Sequence, residues 1–141
     1  MLAQELRIGN YINRLGKQTE IKAIQQSEKI CYVNTSISGA ITINQIEPIP
    51  LTEEWLLKLG FEVKDRKSNL DTDIFYMPAF EIDYCLFYAD FRLDYGLYLE
   101  YTDSPFPEDD EKLYPITFGI KYVHQLQNLL YSLTGEELTI K

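Results

Sequence analysis

The chain is poor in the residues that most often announce a reaction, with one histidine, two cysteines and one tryptophan in 141 residues. A single imidazole excludes the multi-histidine ligand sets of zinc enzymes. Cys31 and Cys85 lie far apart inside strand-like segments, which excludes a disulfide scaffold and reads as two buried free thiols. Cationic side chains are also scarce. Thirteen Lys and Arg against 22 Asp and Glu leave a formal net charge of -9, which repels a phosphate backbone and argues against direct nucleic-acid binding. No apolar run approaches the roughly 18 residues of a membrane span, and the first residues lack the basic, apolar and small-residue succession of a secretory signal. A cytoplasmic protein without membrane contact is therefore expected. Phosphate-cradling glycine loops, the GxSxG elbow and CxxC pairs are missing too, so no cofactor is expected.

What the chain does have is apolar and aromatic material. Hydrophobic residues make up 45% and aromatics 13%, with 11 tyrosines and seven phenylalanines. A chain of this length buries roughly two-thirds of its unfolded surface without needing staples. The tyrosines fall mainly in strand-like runs, where a ring can bury while its hydroxyl stays wet.

Residues 6–49 read as short strands at 6–8, 11–12, 19–24, 29–33 and 40–43, separated by turn signals at Gly9-Asn10, Gly16 and Gly39. Pro48-Ile49-Pro50 marks a boundary, because both prolines withhold a ladder donor. Thr52 then serves as N-cap for a helix reaching Leu59, with Glu53 and Glu54 in its first turn, Gly60 as its stop, and Trp55, Leu56 and Leu59 on the face turned to a sheet. Strands follow at 61–63, at 73–77 until Pro78 interrupts, at 82–88 and at 91–101. The reversal between the last two is open between Ala89-Asp90 and Asp94-Tyr95-Gly96. Residues 102–112 form a proline-broken acidic loop, and 115–118 a last short strand. The expected fold is α+β: an N-terminal small curled antiparallel sheet or barrel, then a helix, an antiparallel sheet and a C-terminal helix packed on it. The corresponding lobes are 1–48 and 49–141, sharing one core.

The C-terminal helix, over 120–133 and closed by Thr134-Gly135, carries the most informative pattern. At 100° per residue, Tyr122, Val123, Leu126, Leu129, Leu130 and Leu133 gather on one arc, while His124, Gln127, Asn128 and Tyr131 share the other side. That polar stripe is the candidate interaction surface. His124 could shuttle protons or bind a metal, but its one-turn neighbour is Asn128 rather than a second ligand, so HExxH logic fails. Pairing of His124 with Cys31 or Cys85 as nucleophile has no local support. The acids at Asp103 and 108–111 lack the spacing of a calcium loop. Asp83, Asp90, Asp94 and Glu100 read as the wet side of a sheet rather than a catalytic carboxylate pair. No catalytic, cofactor-binding or metal-ligating residue is assigned.

Three segments together carry a resemblance: residues 5–12 around Gly9-Asn10, residues 48–61 from Pro48-Ile49-Pro50 through Trp55 to Phe61, and residues 122–138 from Tyr122 to Leu138. They resemble a group of short uncharacterised bacterial proteins associated with prophages and other mobile elements, whereas residues 61–117 carry no signature of it. The resemblance implies an intracellular, mobile-element setting and transfers no catalytic residue. The expected function is a non-enzymatic accessory protein that binds another protein through the helix stripe or exposed tyrosines. The alternatives are an acidic nucleic-acid mimic that inhibits a DNA-handling enzyme, and a small hydrolase or metal-dependent enzyme using His124.

Overall fold

The computed structural model describes residues 3–27, 31–37, 39–64, 74–82, 85–90, 96–101, 112–117 and 119–141, and within 64–117 only the backbone course. In chain order the elements are a 3-10 turn (Ala3–Glu5), β1 (Tyr11–Arg14), β2 (Lys17–Gln26), β3 (Cys31–Thr35), β4 (Ala40–Thr42), a second 3-10 turn (Ile43–Gln45) and β5 (Ile46–Pro48). Then come α1 (Glu53–Lys58), β6 (Glu62–Lys64), β7 (Ile74–Ile82), β8 (Cys85–Asp90), β9 (Gly96–Tyr101), β10 (Lys112–Thr117) and α2 (Val123–Thr134). They form two compact units: Met1–Leu51 with Tyr122–Thr139, and Thr52–Lys121 with Ile140–Lys141.

Unit 1 is built on a curled antiparallel sheet in the order β4-β3-β2-β1-β5. Its core comprises Leu6, Ile12, Ile21, Val33, Ile41 and Ile46, with Ile24 and Ile43 packed against them. Ile21 and Ile24 both reach this core although strand alternation would put residues three apart on opposite faces. A register shift between Ile21 and Ala23 inserts the extra residue that turns the strand over. Where residues 6–8 were expected to be a strand, Leu6 is buried in an irregular segment and Ile8-Gly9 forms a turn. The strand β5, not foreseen, pairs Ile46, Glu47 and Pro48 with Arg14, Asn13 and Ile12. Pro48 ends this edge strand, a position where its missing donor costs little.

The C-terminal helix, expected within a 49–141 lobe, groups with unit 1. Val123 N donates to Ile49 O at 3.0 Å, and Pro50 and Tyr122 form an isolated antiparallel bridge. These bonds bring the returning chain in beside the proline segment. The helix starts at Val123 rather than Ile120, and Gly135 ends it at φ 76°, in the left-handed conformation that glycine adopts without a Cβ penalty.

Unit 2 opens with α1, where Thr52 Oγ1 accepts from Trp55 N at 3.4 Å. Glu53 and Glu54 occupy the positive first turn and Lys58 the last, the latter paired with Glu54 at 2.7 Å. Trp55, Leu56 and Leu59 are buried, as is Phe61 just beyond the helix. The last residue of the chain joins this unit, Lys141 N donating to Lys58 O at 3.1 Å. The second sheet is an antiparallel meander in the order β10-β9-β8-β7-β6. Pro78 does not end β7. It lies within the register irregularity between Met77 and Ile82, beyond the stretch that β6 pairs, so its absent donor interrupts no regular ladder. The expected single strand over 82–88 is divided, because Ile82 pairs with Cys85 and the chain reverses between them. The next reversal lies between Asp90 and Gly96, which also pair. The residues that would place it at either expected dipeptide, and the acidic loop with Asp103 and 108–111, fall outside the described residues.

Candidate functional site

Only part of the polar stripe of α2 faces water, which corrects the expectation from helical periodicity that all four residues share an exposed side. His124 and Gln127 are 1% and 0% exposed, Asn128 is half-buried, and Tyr131 alone of the four is exposed, at 38%. The buried residues of α2 are Val123, His124, Leu126, Gln127 and Leu130. On a helical wheel their arc is turned roughly 80° from the leucine arc. Leu133, on the leucine side, is left 41% exposed.

Backbone groups of unit 1 explain this rotation. The bend at residues 7–11 reverses the chain with Gly9 at φ 93°, and its polar atoms need partners once covered. Gln127 supplies them: Oε1 accepts from Tyr11 N at 2.9 Å, while Nε2 donates to Gly9 O at 3.0 Å and to Leu138 O at 2.9 Å. One N–H and two carbonyls as partners permit only this orientation of the carboxamide. Asn128 continues the seam, its Nδ2 donating to Glu5 O at 2.7 Å and its Oδ1 accepting from Asn10 Nδ2 at 2.9 Å. Asn10 is itself buried, and its Oδ1 accepts from Arg7 N at 2.8 Å. Two adjacent carboxamides thus join α2 to the 3-10 turn, the bend and the tail. A surface helix needs no such pair, which is the signal the sequence held.

Beside this seam stands an exposed cluster. The Arg7 guanidinium lies 3.5 Å from the centroid of the Tyr131 ring and pairs with the Glu137 carboxylate. Tyr131 is therefore a held ring rather than a free one, since a cation over an aromatic face restricts both side chains. Arg7 and Glu137 were not anticipated, because their sequence separation hides the pair.

His124 differs from its neighbours. Its ring stacks on that of Tyr122, with centroids 5.8 Å apart and planes 11° from parallel, and neither ring nitrogen has a hydrogen-bond partner among the described residues. Burial pulls its pKa below the ordinary value near 6.5, the Glu5 carboxylate partly opposing that shift. A neutral imidazole at pH 7 follows. Among the described residues no group of three or more His, Cys, Asp or Glu is placed to hold a metal ion. Cys31, expected to be buried, is a half-buried free thiol in β3, and the side chain of Cys85 is outside the described residues.

No helix among the described residues is long and apolar enough to cross a membrane. Comparison with protein-family models, curated proteins and solved structures finds no match to this chain.

Proposed function

We propose that this protein is a non-enzymatic accessory module that binds another protein in the cytoplasm, in the mobile-element setting its sequence resemblance implies. The observation that carries the reading is the Arg7–Tyr131 pair. With His124 and Gln127 withdrawn into the fold, the exposed part of the α2 stripe is a tyrosine held under a guanidinium. Tyrosine and arginine are the residue types that dominate interface energetics, and a ring already held in place loses little entropy on binding. Ile8 and Leu133, 58% and 41% exposed, add apolar area to the same unit. Affinity capture from bacterial lysate with the parent and with Tyr131→Ala tests it. A partner recovered by the parent and lost with the variant, at unchanged helix content, supports the reading. Equal recovery of every protein by both refutes the Tyr131 surface.

Charge distribution favours a second reading, the acidic nucleic-acid mimic. The segments of unit 1 hold six acids and five cations, those of unit 2 sixteen acids and eight cations, so nearly all of the net charge of -9 resides in unit 2. A mimic would inhibit a DNA-handling enzyme by competition that weakens steeply with salt. Inhibition indifferent to ionic strength, or none, removes that reading.

A further inference from the structure

His124 sits one helical turn before Gln127 and Asn128, the two carboxamides that fasten α2 to the 3-10 turn, the bend and the tail. The residue is 1% exposed, and both ring nitrogens are buried without a partner among the described residues. A neutral ring in that place already leaves a donor and an acceptor unmet. A charged ring would present two unmet donors and an unpaired cation, a costly burial. We infer that α2 is an acid-released latch: protonation of His124 frees the helix, and with it the Gln127 and Asn128 bonds, from the sheet of unit 1.

The surroundings set the direction. The Glu5 carboxylate favours the imidazolium, the positive charge of the amino terminus opposes it, and burial, the largest influence, also opposes it. Arg7 is engaged with Glu137 and Tyr131, and Tyr122 offers His124 a stacked ring rather than a charge. The docked ring therefore holds a proton less well than a released ring does. Release is disfavoured above about pH 7.5, grows as pH falls through the ordinary histidine value near 6.5, and levels off below the lowered docked value. Between pH 7.5 and 5.5 this linkage raises the α2 opening constant by up to about tenfold. What opens is the apolar flank of Val123, Leu126 and Leu130, together with the bend that Gln127 and Asn128 cover.

Hydrogen exchange of the α2 amides in the full chain, corrected for the intrinsic pH dependence of exchange, reads this directly. The parent is expected to show a severalfold rise in opening from pH 7.5 to 5.5 confined to α2 and the Tyr11 amide that Gln127 holds, with the β2–β3 ladder amides unchanged, and His124→Gln and His124→Phe are expected to show none. The single histidine also gives one imidazole NMR signal, whose midpoint in the parent should fall below 6.5 and coincide with shifts of the α2 amides. A rise that persists in the variants, a change below twofold in the parent, or equal opening of the β2–β3 ladder overturns the latch. If neither variant folds, an imidazole that titrates without any response of the α2 amides overturns it equally.

Discussion

Replacing Gln127 by methionine removes the hydrogen bonds of the α2 seam while nearly preserving side-chain volume. The residue is fully buried and satisfies three backbone groups, Tyr11 N–H, Gly9 C=O and Leu138 C=O. A buried polar group deprived of its partner costs about 1–3 kcal/mol. Because methionine fills similar space, the cavity penalty of a truncation is largely avoided. Partial relief by water and by the second lone pair of each carbonyl brings the expected loss to about 3–5 kcal/mol, a large fraction of the ~5–15 kcal/mol that holds a domain together. Urea denaturation followed by far-ultraviolet circular dichroism measures the loss. The Gln127→Glu variant supplies a further check, since it keeps the acceptor for Tyr11 N–H but sets a carboxylate against two carbonyl oxygens. Burial and those carbonyls raise the pKa of the introduced carboxyl, so the deficit shrinks as pH falls and the group becomes a donor. A methionine variant within about 1 kcal/mol of the parent would refute the claim that these bonds set the orientation of α2.

Four other outcomes are expected. Leu15 sits at φ 51° in the two-residue β1–β2 turn and is 84% exposed, so Leu15→Asn should stabilise by about 1 kcal/mol, because asparagine tolerates the left-handed region. An unchanged or lower thermal midpoint contradicts this. Gly135 has φ 76° and open space where a Cβ would stand, so Gly135→Ala isolates backbone strain and should cost about 1 kcal/mol in urea denaturation. Thr52→Ala loses the cap on Trp55 N and should cost about 0.5–1 kcal/mol, read by the same titration. For pH, the parent should lose stability relative to His124→Gln as pH falls from about 7.5 through 6.5, because the unfolded ring takes up the proton that the folded ring resists. A parent that gains stability relative to that variant over the same interval reverses the sign and contradicts the reading.

Local signals identified several elements. Thr52, the paired glutamates and Gly60 bracket α1, and the structure places that helix at Glu53–Lys58. Gly135 ends α2 where the pattern of Thr134-Gly135 requires. The curled N-terminal sheet followed from closely spaced turn residues and β-branched runs. Other features escaped because their cause is remote in sequence. The course of β7 through Pro78 depends on which neighbour pairs there, and the short β5 depends on β1 being available beside it. Arg7 and Glu137 are 130 residues apart, so their pairing exists only after the chain closes.

The amino-acid order by itself determined both ends of α1 and the stop of α2, because caps and glycines act within a few residues. It also determined that α2 has two chemically different sides. Which side turns inward was decided by the tertiary structure alone: the backbone donors and acceptors at Tyr11, Gly9, Leu138 and Glu5 needed partners, and Gln127 and Asn128 could supply them. Leaving those groups unmet would cost more than exposing Leu133, and so the helix turned its carboxamides, and His124 with them, toward the sheet.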